Sequence, residues 1–480
     1  MSIPGSWPAA KRRHALSSVA HVIHLRRLAL LAAGCLGAAV LSLALPSSPT
    51  YDPWAWLVWG REITELDLDT RYGPSWKPFP VLFTTVFAVF GDAAPPLWLV
   101  VARAGAILAV VLAFRLASRL AGGGRVGVLA GAAAAFGLVF TEGWIRHGAL
   151  GNSEGLLVAF VLLAVDRHLD GSRGQALAAA FGAALLRPEV WPFLGLYAVF
   201  LWLKEPRLRP LAAASVLLLP LLWFVPDLVA TGELLRSSER AQDPTPGSPA
   251  FADRPAVEVA SRAVSIPPVA VVVAFAAALA LGLVTWRANR RFPPMLALAL
   301  GAVAFVLLVA LMTEAGYSGN LRYLLLPAAL MAVAGAAALG ELARRAGGRQ
   351  AVAVGALAAA ALGASAALHV GLIRTDLDEV AYEGRLYHDL GRAVSAADGA
   401  GVADCGRPVT GPFHVPALAW HLRVHTGTVG LEPEAETIVF RAPTRPGTGA
   451  APPMSALANV PAVARAGEWE VFATCPLPED

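Results

Sequence analysis

The feature that most limits how this chain can fold is a succession of apolar runs of about 20 residues, the length a helix needs to cross the hydrocarbon core of a bilayer. Short arginine clusters separate the runs. Of the 480 residues 56% are hydrophobic and 15% charged, and the mean hydropathy is +0.59, which excludes a soluble multidomain enzyme. A mainly α, polytopic membrane protein follows. The net charge of +4 is spread over the inter-run clusters with no basic stripe, so no nucleic-acid partner is expected. Lysine occurs only three times in a chain rich in arginine, alanine and glycine. This pattern reflects base composition more than function, and it makes the position of Lys77 informative.

Short cytoplasmic loops carry an excess of Lys and Arg. Six clusters serve as inside markers: Arg26-Arg27, Arg115 with Arg119 and Arg125, Arg167 with Arg173, Lys204-Arg207-Arg209, Arg287-Arg290-Arg291 and Arg344-Arg345-Arg349. Two spans between successive markers give about eleven spans. They are expected near 28–45, 97–120, 126–141, 153–168, 174–186, 189–203, 210–228, 267–286, 293–313, 321–342 and 351–372. The run Leu28 to Leu45 is longer than a signal-peptide core and reads as a retained first span. Phe79 to Phe90 is too short to span and reads as a re-entrant or interfacial helix.

The expected organisation is a cytoplasmic segment 1–27, a transmembrane domain 28–372 with a first extracytoplasmic loop 46–96, and a small extracytoplasmic α/β domain 373–480. The tail loses the apolar runs and gains Pro, Gly and short alternating stretches such as "WEVFAT". Its two cysteines, Cys405 and Cys475, are expected to pair in that oxidising compartment. Cys35 reads as a small packing residue in the first span. His414, His421 and His425 form a loose pattern interrupted by Pro416, which fits surface histidines better than a zinc site.

The polar residues of interest gather in the expected outside segments. Asp52, in "SSPTYDPWAWLVWGREI", reads as a capping carboxylate on a helix whose tryptophans (Trp54, Trp56, Trp59) suit the headgroup layer. Glu154, in "GNSEGLL", is a first-turn carboxylate on a membrane helix, with Arg146 and His147 nearby as simple ion-pair partners. Lys77, in "WKPFPVLF", and Arg322-Tyr323, in "NLRYLLLP", each read alone as interfacial anchors beside an aromatic. Arg187-Pro188-Glu189 is a Pro-broken turn on the same side. The separate explanations do not account for five such segments converging on one face.

These stretches resemble the GT-C superfamily of polytopic glycosyltransferases, in the branch of the protein O-mannosyltransferases and the lipid A aminoarabinose transferases. The resemblance rests on the Asp just after the first span, "KPFPVLF" running to Phe90-Gly91 with Arg103 in the next helix, "SEGLL", "LLRPE", and Arg322 to Pro327. It covers about the first 200 residues. Two positions depart from the pattern: Glu154 stands where the family usually has Asp, and Phe79 breaks the Lys-Pro-Pro step.

The resemblance implies a sugar donor linked to a polyprenyl phosphate. Asp52 would act as general base on an acceptor hydroxyl, with inversion, and Glu154 would orient the acceptor or help hold a cation. Lys77, Arg322, Tyr323 and Arg187 would receive the donor phosphate. No cofactor is certain; a divalent cation is left open and the metal question is unknown. The acceptor is an envelope glycan, a lipid or a protein hydroxyl, and membrane lipids surround the chain. The alternatives are a transporter or flippase, or a non-catalytic envelope assembly protein, binding a polyprenyl-linked substrate. Ionisable groups at one interface instead of the midplane favour the enzyme.

Overall fold

The computed structural model describes residues 29–399, 405–434, 436–445, 448–453 and 460–475. The expected cytoplasmic segment 1–27 lies outside them. Each expected span falls on a helix: α1 (Ala29–Ser42), α4 (Ala94–Leu120), α5 (Gly124–Val139), α7 (Glu154–Leu169), α8 (Arg173–Ala184), α9 (Trp191–Lys204), α10 (Arg209–Thr231), α13 (Val269–Asn289), α14 (Pro294–Glu314), α15 (Leu325–Ala346) and α16 (Gly348–Gly399). Six helical stretches among the described residues, those ending in α4, α10, α13, α14, α15 and α16, are long and apolar enough to cross a membrane. The remaining five are shorter. The helices expected in the segment 46–96 appear as α2 (Tyr51–Thr64) and α3 (Pro78–Ala88), with α6 (Trp144–Ala149), α11 (Arg236–Ala241) and α12 (Pro255–Ser265) between the longer ones.

Alanine and glycine let the helices approach closely, which is how apolar helices gain attraction when lipid is as apolar as they are. Helix α15 is the central rod, buried over 89% of its apolar stretch and packed on α4, α5, α13, α14 and α16. Gly155 of α7 faces Ala106 of α4, and a Cβ there would stand 2.7 Å from the alanine Cβ. Gly60 of α2 is still tighter against α3. Its Cβ would lie 2.4 Å from the carbonyl carbon of Thr84, whose hydroxyl donates to the Trp56 carbonyl at 2.6 Å.

Position 373 is not a break in the chain. Helix α16 runs through it for 52 residues: the change from apolar to polar composition there marks a change of surroundings and carries no proline, and Gly371 sits within the helix without ending it. Its last turns support a mixed sheet in the order β1 (Arg407–Thr410), β2 (Thr437–Pro443), β5 (Trp469–Ala473), β4 (Ala462–Ala466), with the two-residue β3 (Ala450–Ala451) also on β2. Strands β1 and β2 are parallel and the others antiparallel. Trp469 anchors the sheet to α16, its indole N–H donating to the Leu386 carbonyl at 2.7 Å. Cys405 and Cys475 are disulfide-bonded, and Cys35 packs against Ala39 and Ala104.

The tail helix α17 (Val415–Leu422) lies directly on α2. This overturns the headgroup reading of the α2 tryptophans: Trp54, Trp56 and Trp59 are all buried in protein. Trp54 packs on Tyr387, Trp420 and His421, Trp56 on Trp98 and Trp59 on Trp76. The three tail histidines diverge, His414 lying among Tyr387 and Trp469 and His425 reaching the far end of α2.

At that end His425 Nδ1 lies 2.8 Å from Glu62 Oε1 and its Nε2 3.1 Å from Asp67 Oδ2. Arg61 donates to the Trp420 and Val424 carbonyls, Arg423 pairs with Glu65, and the Asp69 amide donates to the second Glu62 oxygen. Burial pushes the Glu62 carboxyl up to about 7, against the pull of the Asp69 amide, His425 and Arg61. Burial lowers the His425 imidazole, and the hydrogen bonds and charges of Glu62 and Asp67 outweigh it, leaving its pKa above the ordinary value. Both shifts are upward, so docking takes up protons; its stabilisation is present in mild acid and is lost as pH rises through the raised values.

Two outcomes follow. Gly60→Ala should cost about 1–3 kcal/mol through overpacking on Thr84, read as a lowered unfolding temperature in detergent. Amide exchange of residues 415–428, corrected for intrinsic rates, should be slower at about pH 6 than at about pH 8, and the double variant Glu62→Gln, His425→Ala should erase the difference.

Candidate active site

Five helix entrances meet on one side of the bundle. Asp52 lies in the first turn of α2, with Thr50 and not Asp52 at the cap position. Lys77 precedes α3, held extended before Pro78, and Glu154 opens α7 after Ser153. Arg187 precedes the short turn Pro188–Val190 that leads into α9, and Arg322 with Tyr323 lies in the turn Leu321–Leu324 that leads into α15. Proline explains several of these positions, because it suits the first helical turn and forces an extended residue before it.

The charged groups make one network. Arg322 Nη2 lies 2.8 Å from Asp52 Oδ2, and its Nε 3.8 Å from Glu154 Oε1. Lys77 Nζ stands 3.6 Å from the same Asp52 oxygen and 5.0 Å from the centre of the Trp56 ring. Arg187 Nη2 donates to Glu154 Oε1, and Nη1 lies 3.3 Å from Glu189 Oε1. The Arg187 guanidinium rests 3.7 Å from the centre of the Tyr323 ring, whose hydroxyl accepts from Ser318 at 3.0 Å. Three carboxylates (Asp52, Glu154, Glu189) thus balance three cations (Lys77, Arg187, Arg322). Every one but Arg322 is buried.

The cations sit where helix N-termini already contribute partial positive charge. Three entrances with a cation each make a place for anions, and the carboxylates of the protein occupy part of that role. Lys77 differs from the two arginines: its ammonium is buried and donates no hydrogen bond among the described residues. One oxygen each of Glu154 and Glu189 likewise accepts none.

The structure brings Asp52, Lys77, Glu154, Arg187, Arg322 and Tyr323 together. It does not bring Arg146 to Glu154; that arginine pairs with Glu379 and Glu383 of α16 at 3.1 Å each. Sequence reasoning passed over Asn152, whose side-chain oxygen accepts from Arg322 at 3.0 Å while its amide meets His147 at 3.2 Å. It also passed over Trp56 beneath Lys77, and it treated Glu189 only as part of a turn. The signal for Glu189 was its place two residues after Arg187; Asn152 looks like any residue of a Gly-Asn-Ser turn.

A divalent cation does not fit these residues. The Arg322 guanidinium takes up Asp52 and approaches Glu154, and the Arg187 guanidinium separates Glu154 from Glu189. Among the described residues no three His, Cys, Asp or Glu side chains converge as a metal site.

An apolar cleft of about 530 Å³ is lined by Val190 and Leu326, near Glu189 and Tyr323 in sequence, and by His168, Phe193, Tyr197 and Phe305, but by no residue of the charged network. His168 lies fourteen residues along α7 from Glu154, so the cleft follows the helix away from the site. At that far end Arg115, Arg119 and Arg167 pair with Asp166 and Asp170.

The sequence matches no family model and no curated protein. Solved structures do match. The crystal structure of ArnT from Cupriavidus metallidurans bound to undecaprenyl phosphate aligns at a TM-score of 0.54 and 15% identity, over 93% of this chain and 98% of that one. The near-complete mutual coverage includes the membrane bundle and the tail alike. The chain therefore has a polytopic membrane-protein fold similar to that of ArnT over almost its whole length.

Proposed function

We propose that this protein is a membrane glycosyltransferase that moves a sugar from a polyprenyl-phosphate donor to an acceptor hydroxyl on the extracytoplasmic side. The observation that carries the reading is Lys77: an ammonium buried with no hydrogen-bond acceptor among the described residues, sharing Asp52 Oδ2 with Arg322. A phosphate supplies the acceptor that this ammonium lacks, and a long apolar chain attached to it suits the apolar cleft of the bundle. The undecaprenyl phosphate bound to ArnT supports the same class of ligand for a chain of this fold.

In this reading the lipid phosphate draws Lys77 and Arg322 to itself, Lys77 as a point charge and Arg322 as a fork. Tyr323 and Arg187, stacked on one another, stand behind them. Asp52 is thereby released from the two cations that hold it in the free protein and becomes basic enough to accept a proton. The acceptor oxygen attacks the anomeric carbon, its proton passes to Asp52, and the carbon–oxygen bond to the phosphate breaks with its electron pair. The leaving group is already an anion held by two cations, so charge stabilisation takes the place of a general acid. A single displacement inverts the anomeric centre. Glu154 stays with Arg187 and orients the reacting partners, and no metal step enters.

The tail domain, on this reading, is extracytoplasmic and holds α2, and so Asp52, from above. The acceptor is a hydroxyl of an envelope glycan, a lipid or a protein.

Native mass spectrometry of the purified protein with undecaprenyl phosphate tests the reading. Wild type should bind saturably, and Lys77→Ala and Arg322→Ala should each weaken binding by about tenfold or more, as expected for loss of a buried charge-assisted contact. Asp52→Asn should keep the lipid and lose transfer by about a hundredfold or more. Binding indifferent to both cations would return Lys77 to a structural role.

A further inference from the structure

Resting on the glycosyl-donor reading above, we propose that Glu189, together with Glu154, is a specificity determinant: their free carboxylate oxygens accept hydrogen bonds from hydroxyls of the donor sugar, a neutral pentose or hexose.

Arg187 commits only half of each carboxylate. It donates to Glu154 Oε1 on one side and faces Glu189 Oε1 at 3.3 Å on the other, and Tyr323 fixes the guanidinium plane at 3.7 Å. The second oxygens, Oε2 of Glu154 and Oε2 of Glu189, are buried and accept no hydrogen bond from the described residues. Glu154 is 1% and Glu189 5% exposed, so bulk solvent does not make up the deficit. Buried acceptors left in this state are costly, and native proteins seldom keep two of them side by side without use.

The chemistry of a partner is narrow. It brings donors and no negative charge, because two carboxylates already face it. It is not a cation, because Arg187 supplies that charge between them. Hydroxyl groups meet both conditions. Position agrees as well: Arg322 joins the pair to Asp52, contacting Asp52 at 2.8 Å and Glu154 at 3.8 Å. A donor whose phosphate lies on Lys77 and Arg322 therefore has its sugar within the region of Glu154 and Glu189. Arg187 is then a positioning residue that holds both carboxylates in place, and Glu189 contributes recognition that the proton transfer does not require. A site built to accept from a sugar hydroxyl discriminates strongly against a ligand that lacks it.

The test compares binding of bare undecaprenyl phosphate with undecaprenyl phosphoryl-glucose, -mannose and -arabinose, using the full-length protein and Glu189→Gln. In wild type at least one sugar-bearing lipid should bind about tenfold or more tighter than the bare lipid. Glu189→Gln should abolish that gain and leave bare-lipid binding within about twofold, which also shows that the variant is folded. Glu189→Asp, keeping the charge with a shorter reach, should restore part of it. Three outcomes overturn the inference while the donor reading stands: no gain from any of the three sugars in wild type, an undiminished gain in Glu189→Gln, or loss of bare-lipid binding in Glu189→Gln with retention in Glu189→Asp. Failure of wild type to bind the bare lipid would instead remove the donor reading itself.

Discussion

Electrostatic balance inside the membrane-facing bundle is the constraint on which the rest of the structure depends. Burying one ion costs several kcal/mol, and six are buried together or nearly so. They persist because each cation has a carboxylate within reach and each carboxylate a cation, with Arg322 and Arg187 shared between acids. The shared arginines tie segments far apart in sequence, Asp52 to Arg322 and Glu154 to Arg187. The same balance leaves shortfalls among the described residues, including the Lys77 ammonium with no acceptor and one oxygen each of Glu154 and Glu189 with no donor. Ligand chemistry is read from these shortfalls, since the pairs that are already complete specify nothing further.

Helix α2 carries the second half of the design. Its first turn holds Asp52 and its last turn holds Arg61 and Glu62, which meet the tail at the Trp420 and Val424 carbonyls and at His425. Between them the three tryptophans are buried on every side. The helix is thus a rigid strut between the site and the tail domain, and α16 brings that domain back over it as one continuous rod. Small residues make this possible in the bundle below. Gly60 against Thr84 and Gly155 against Ala106 set helix separations that a larger residue would widen, and the side-chain distances at the helix entrances depend on those separations.

Much of the architecture was legible in the chain because its cause is local. Apolar runs demand helices in lipid wherever they occur, and Pro78 and Pro188 mark the start of a helix by fixing the backbone. Asp52, Lys77, Glu154, Arg187 and Arg322 were recognisable because an ionisable residue beside an apolar run is unusual enough to need a partner. The α2 tryptophans were misread for a related reason. Indole suits both a wet interface and a protein interior, and composition cannot say whether α17 will cover it. Arg146 was misassigned because nearness along the chain suggested Glu154, whereas α16 brings Glu379 and Glu383 closer in space.

The sequence by itself determined that this chain makes apolar helices, where they begin, and that charged residues gather at their entrances on one side. Each of these depends on neighbours within a turn or two, or on the solvent the segment can tolerate. Only the tertiary structure decided which cation meets which carboxylate, that Asn152, Trp56 and Glu189 join the network, and that the tail rests on the strut that bears Asp52. Those pairings depend on the packing of whole helices, and a contact between side chains of separate segments leaves no periodic trace in either one.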